Sequence, residues 1–231
     1  MGKYIIATIK TWNIENARKI TKMRPDDSFL IITEKNEMTI DNIKRYNPDM
    51  IFFPHWSWFI PEEIFEEYES IVFHMTDLPY GRGGSPLQNL IVNGIYNTKI
   101  SALKVERGLD EGPIYLKEDL YIGEGNADEL LKKASDIVFN VMIPQLIDNK
   151  ISPVKQIGDV EVFKRRTPEQ SEIPKGLTQR QLYDYIRMLD GEGYPTAFLK
   201  TDYGKIYLKN ASFKNGITRA EGFIVGEDRD E

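Results

Sequence analysis

The sequence predicts an α/β fold built on a mostly parallel sheet, and three observations carry that reading. Short, nearly all-apolar runs such as Tyr4–Ile9, Met50–Phe53 and Ser70–His74 recur along the chain, and polar stretches with helical periodicity separate them. The runs do not alternate apolar with polar, which is the pattern of strands covered by helices on both faces and entered by right-handed crossovers. At 231 residues, 41% of them hydrophobic, the chain has the material for a substantial core. No apolar run approaches the ~20 residues of a membrane helix.

Taken in order, Tyr4–Ile9 reads as the first strand, and residues 15–24 read as a polar helix broken by Pro25-Asp26-Asp27. Phe29–Thr33 is the second strand. Thr39 caps a short helix that ends near Asn47-Pro48, before the third strand at Met50–Phe53. Pro61-Glu62-Glu63 opens the next helix, with a proline that needs no N–H and acids that suit the helix dipole. Ser70–His74 is the fourth strand. A Gly-rich loop, a helix over 86–93 and strands over 99–106 and 114–121 follow, and then a long amphipathic helix over Asp128–Ile147. Residues 150–175 read as a Pro-, Lys- and Glu-rich connector with one short strand, Val160–Phe163. Thr178 caps a helix over Leu177–Leu189, and residues 197–225 hold two or three strands with turns at Tyr203-Gly204 and Asn215-Gly216. The expected division is a first domain over 1–150 and a connector with a small helix-plus-β extension over 151–231.

Composition narrows the function. There is no Cys, hence no disulfide framework, thiol nucleophile or Cys-ligated zinc, and no metal site is expected. Thirty Lys and Arg against 36 Asp and Glu give a net charge of −6, the wrong sign for a chain that lives by phosphate contacts, so no nucleic-acid partner is expected. The opening residues lack the h-region and cleavage site of a secretory signal, so the expected location is cytoplasmic with no membrane partner. Only His55 and His74 can carry a proton near neutrality without a large pKa shift.

Ligands in parallel α/β sheets gather at the carboxyl ends of the strands. There the chain carries His74-Met75-Thr76-Asp77-Leu78-Pro79-Tyr80-Gly81-Arg82-Gly83-Gly84-Ser85-Pro86, and downstream Val105-Glu106-Arg107-Gly108-Leu109-Asp110-Glu111-Gly112-Pro113. Taken singly, His74 reads as a strand-end core residue and Asp110 as a turn residue. Together these segments resemble the formyltransferase family that uses 10-formyltetrahydrofolate. Its pattern is a His, then Ser or Thr two residues on, Leu-Pro, Arg-Gly and a Pro, and later Asp-x-Gly. The resemblance is close over residues 50–115 and looser elsewhere.

The resemblance implies a Rossmann-like parallel sheet with a mixed edge, 10-formyltetrahydrofolate as co-substrate and no metal. It also implies His74 as acid/base and oxyanion partner, and Asp110 as the group that orients it and relays protons. The folate would lie against Phe53, Trp58, Phe59, Ile60 and Phe65, with Glu106 and Gly108 in the stretch that meets the pterin. Lys10, Trp12, Asn13, Thr76 and Arg82 would face the other substrate. The family usually carries Asn two residues before its His; this chain has Val72 there, with Thr76 or a backbone N–H as the replacement donor.

Among the family's branches, the short tail, the acidic balance and the stretches Leu182–Leu189 and Gly193–Phe198 favour the branch acting on nucleotide-linked amino sugars. The expected partners are then such a sugar and folate, with a homodimer open as an assembly. The alternatives are methionyl-tRNA or glycinamide ribonucleotide as acceptor, or a folate- or nucleotide-sugar-binding relative impaired in catalysis.

Overall fold

The computed structural model describes residues 1–225; positions 226–231 of the expected C-terminal extension lie outside the described residues. Eleven strands and seven α-helices are described, and a six-stranded sheet of order β2-β1-β3-β4-β6-β7 organises the first half. Its strands are β1 (Lys3–Ala7), β2 (Ser28–Ile32), β3 (Met50–Phe53), β4 (Ser70–His74), β6 (Asn97–Lys104) and β7 (Ile114–Tyr121). The pairs β1–β2, β1–β3 and β3–β4 are parallel, and β6 runs antiparallel to β4 with His74 opposite Ser101. The Rossmann-like sheet with a mixed edge is therefore observed.

The core of the sheet's first half is Ile5, Ala7, Ile32, Ile43, Ile51, Phe53 and Ile64, each almost fully buried. Ile43 comes from α2 (Ile40–Tyr46), which Thr39 caps by accepting from the Asn42 N–H, and which ends on Asn47 at φ 53. A left-handed Asn there closes the last turn without the penalty a branched residue would meet. Ile64 comes from α3 (Glu62–Glu67), which starts after Pro61 with two acids in its first turn.

Several boundaries differ from the sequence reading: the helix expected over 15–24 spans Thr11–Met23, the strand expected over 99–106 spans Asn97–Lys104, and two further differences have a clear physical reason. β1 stops at Ala7 rather than Ile9, because the Thr8 hydroxyl turns to the Pro54 carbonyl at 2.6 Å and α1 (Thr11–Met23) starts at once. The long helix expected over Asp128–Ile147 is three pieces: α5 (Ala127–Ile137), a π turn over Val138–Met142, and α6 (Ile143–Asp148). Pro144 explains this, since a proline inside a helix removes an N–H and crowds the carbonyl four residues back.

The chain packs as two compact units. The first comprises Met1–Arg82, Lys99–Leu120 and Lys132–Val162; the second comprises Gly83–Thr98, Tyr121–Leu131 and the residues from Phe163 on. The remaining helices are α4 (Pro86–Val92) and α7 (Gln179–Arg187), and the remaining strands are the two-residue pair β5 (Arg82–Gly83) and β8 (Val162–Phe163), with β9 (Phe198–Thr201), β10 (Gly204–Lys214) and β11 (Ile217–Val225). In the second unit β9, β10 and β11 form an antiparallel sheet. Asn215 and Gly216, both at positive φ, make the β10–β11 turn, as an Asn-Gly pair between strands does. On α7, buried Asp184 accepts from Tyr96, Arg180 and Arg187 at 2.6–3.0 Å, so one carboxylate is shared by two guanidinium groups at this helix. Among the described residues no helix is long and apolar enough to cross a membrane.

Candidate active site

His74 is the last residue of β4 and is 8% exposed. Its Nε2 lies 2.7 Å from the Gly81 carbonyl. A carbonyl only accepts, so Nε2 carries the proton and the other nitrogen, Nδ1, faces the Asp110 carboxylate at 3.5 Å from Oδ2. Asp110 lies in the loop after β6 at φ 55. Asp tolerates the left-handed region better than most residues, because its short side chain can bond locally. Two residues on, Gly112 lies so close to β6 that an added Cβ would stand 1.9 Å from the Lys104 carbonyl, so the Asp-x-Gly spacing is a steric requirement. The sequence reading brings His74 and Asp110 together, and the structure does so.

The loop from His74 to Arg82 is pinned at several points. The Ser101 hydroxyl donates to the Thr76 carbonyl at 2.7 Å, and the Lys117 ammonium donates to the Leu78 carbonyl. Thr76 is fully buried, and its hydroxyl donates to the Gly81 carbonyl at 3.3 Å. This corrects its expected role: the hydroxyl shares His74's acceptor instead of facing substrate.

A cleft of about 430 Å³ opens beside the pair. Trp58, Phe59, Ile60, Phe65, Val72 and Leu103 line it, together with the loop residues Glu106 to Asp110 and Gly112. Of the expected folate-contacting residues, Trp58, Phe59, Ile60, Phe65, Glu106 and Gly108 are in this wall. Phe53 is not: it is 1% exposed in the core, edge-on to Trp56, because β3 is covered on both faces. Val72, where the resemblance calls for Asn, is half-buried in the same wall.

The residues expected to face the acceptor lie elsewhere. Lys10 precedes α1 and its ammonium stands 5.5 Å over the Trp12 ring, while buried Asn13 turns toward the Pro54 carbonyl at 3.5 Å. None of the three is in the cleft wall. Arg82 commits its guanidinium to the Gln156 side-chain oxygen and to Glu111. His55 follows Pro54 at φ 58, and burial together with the Lys10 charge pushes its pKa down to about 4. The sequence reading missed Gln156, whose amide donates to the Asp110 and Gly112 carbonyls at 2.8 Å each. No pattern in the connector signals it.

Fold and site define an α/β protein with a histidine–carboxylate pair at the strand ends, beside an aromatic cleft. Within that class the chain belongs to the formyltransferase family: residues 15–145 match the formyl transferase family model, and residues 168–224 match that of the methionyl-tRNA formyltransferase C-terminal domain. A methionyl-tRNA formyltransferase structure from Clostridium thermocellum is 52% identical, with a TM-score of 0.94, covering 98% of this chain and 100% of that one. The methionyl-tRNA formyltransferase of Rickettsia felis is 33% identical over 147 residues, covering 61% of this chain and 48% of that protein. The chain thus spans about half the length of the curated relatives it matches. HypX from Aquifex aeolicus, solved with tetrahydrofolic acid, shares the fold at a TM-score of 0.74 and 14% identity.

These relatives correct two expectations. The amino-sugar acceptor is overturned by similarity to proteins named for methionyl-tRNA, and with it the expectation of no nucleic-acid partner. Whole-chain charge misled because it averages unlike parts. Residues 163–231 carry twelve Lys and Arg against eleven Asp and Glu, nearly balanced where the rest of the chain is acidic, and Lys164, Arg165 and Arg166 stand consecutively in it.

Proposed function

We propose that this chain transfers the formyl group of 10-formyltetrahydrofolate to the amino group of methionyl-tRNA. The carrying observation is 52% identity to the Clostridium thermocellum methionyl-tRNA formyltransferase over nearly the whole of both chains. In this reading the chemistry belongs to the part that matches the formyl transferase family model, 15–145, and acceptor binding to the part that matches the C-terminal domain model, 168–224.

The cleft suits a flat heteroaromatic ring: Trp58, Ile60 and Phe65 offer apolar faces, and the backbone of Glu106 and Gly108 offers polar groups at the edge. The bound folate supplies the formyl group, whose bond to the folate nitrogen breaks as its bond to the methionine nitrogen forms. Asp110, in the cleft wall, takes up the proton that the amine must shed on attack. His74 stands against that carboxylate and returns a proton to the departing nitrogen, so the pair ends as it began. The Gly81 carbonyl holds Nε2–H and leaves Nδ1 as the nitrogen that exchanges protons with Asp110.

Incubation with 10-formyltetrahydrofolate and methionyl-tRNA, followed by alkaline release of the amino acid, is expected to yield formylmethionine. Recovery of methionine alone would reject the reading.

A further inference from the structure

Both partners of His74 are held from behind by one stretch of the connector. Val154 exchanges two backbone hydrogen bonds with Ile114, at 2.8 and 2.9 Å. Further along, the Glu161 carbonyl accepts from the N–H groups of Gly81 and Arg82, both at 3.0 Å. Between these ties lies Gln156, half-buried among exposed neighbours. Its two N–H bonds go to the Asp110 and Gly112 carbonyls, and its oxygen accepts twice from Arg82, at 2.9 and 3.1 Å. Every donor and lone pair of the amide is thereby used. The opposite amide orientation would set N–H against the guanidinium, so only one orientation fits. Val154 is 63% exposed and Ile157 is 85% exposed, so hydrogen bonds and not a core of its own fix this stretch.

We propose that Val154–Glu161 is a positioning strap for the His74–Asp110 pair, with Gln156 as its principal positioning residue. Glu161 sets the Gly81 segment whose carbonyl fixes the His74 ring. Gln156 sets the left-handed Asp110 backbone that aims the carboxylate. The functional weight of the strap rests on reading His74 and Asp110 as the acid–base pair.

Gln156→Glu keeps the shape and still accepts from Arg82, but its carboxylate cannot donate to the two carbonyls; Gln156→Met removes both functions without adding charge. With only two histidines in the chain, imidazole ¹⁵N resonances are assignable through His55→Gln. Both Gln156 variants are expected to shift the His74 resonances toward those of Asp110→Asn while leaving His55 unchanged. They should lower kcat for formyl transfer on the order of 10²-fold with a smaller change in KM, because a misplaced pair fails at the chemical step. Combining Gln156→Glu with Asp110→Asn should add little further loss. Unchanged His74 resonances in both variants, or a fully multiplicative double mutant, would overturn the strap. Wild-type protein that makes no formylmethionyl-tRNA would instead overturn the proposed reaction, and the spectra would still decide the strap.

Discussion

Nδ1 of His74 stands 3.5 Å from Oδ2 of Asp110, although the two residues come from different elements and Asp110 holds a left-handed backbone to reach it. The other ring nitrogen is tied to Gly81, so the ring cannot turn to find a different partner without losing a 2.7 Å hydrogen bond. The predictions below follow from that pairing and from the wall beside it.

Asp110→Asn keeps a side chain that tolerates positive φ but removes the proton-accepting charge. It should fold normally and lower kcat by ~10²–10⁴-fold, the range for a positioned acid–base group. His74→Asn should lose about as much, and the double variant little more. Multiplicative losses in steady-state kinetics would show that the two groups act separately.

Val72 lies in the cleft wall, so an amide there would meet solvent and bound substrate rather than sealed core. Val72→Asn should leave kcat unchanged or lower it, since the site is built around valine. A gain of ~10-fold or more would mean that the wall lacks an oxyanion donor.

Phe53 and Phe59 separate core from wall. Phe53→Ala should cost about 3–5 kcal/mol in urea unfolding, as a fully buried ring does. Phe59 is 96% exposed, so Phe59→Ala should change stability by no more than about 0.5 kcal/mol while raising KM for the folate. Equal stability losses would contradict the assignment.

His55 predicts a pH dependence of stability. Its folded pKa, about 4, lies below the ordinary 6.5, so between those values the unfolded chain binds the extra proton. Its contribution is therefore complete above about pH 6.5 and is lost as the pH falls toward 4, amounting to about 1–2 kcal/mol by pH 5. His55→Gln should flatten this segment of the curve. Urea unfolding that gives the same loss of stability from pH 7.5 to pH 5.0 in both proteins would contradict it.

Much of this was legible in the residues. Met50–Phe53, Ser70–His74 and Ile114–Tyr121 are strands at the expected bounds, because apolar runs flanked by turn residues or loops have clear ends. The His74–Asp110 pair follows from the loop motifs. The antiparallel direction of β6 has no local signature, and the π turn answers a single proline within an otherwise regular pattern. Gln156 was hidden for a different reason: its partners lie 44 to 74 residues away, and an isolated glutamine in a polar connector resembles any other. The acceptor was misread because a whole-chain charge says nothing of local clusters such as Lys164-Arg165-Arg166.

The central claim is that the pair transfers formyl to methionyl-tRNA, and the most direct test is single-turnover formation of formylmethionyl-tRNA by wild type beside Asp110→Asn. The account predicts rapid product with wild type and a rate lower by ~10²-fold or more with the variant. No product from wild type, or equal rates from the two proteins, would contradict it.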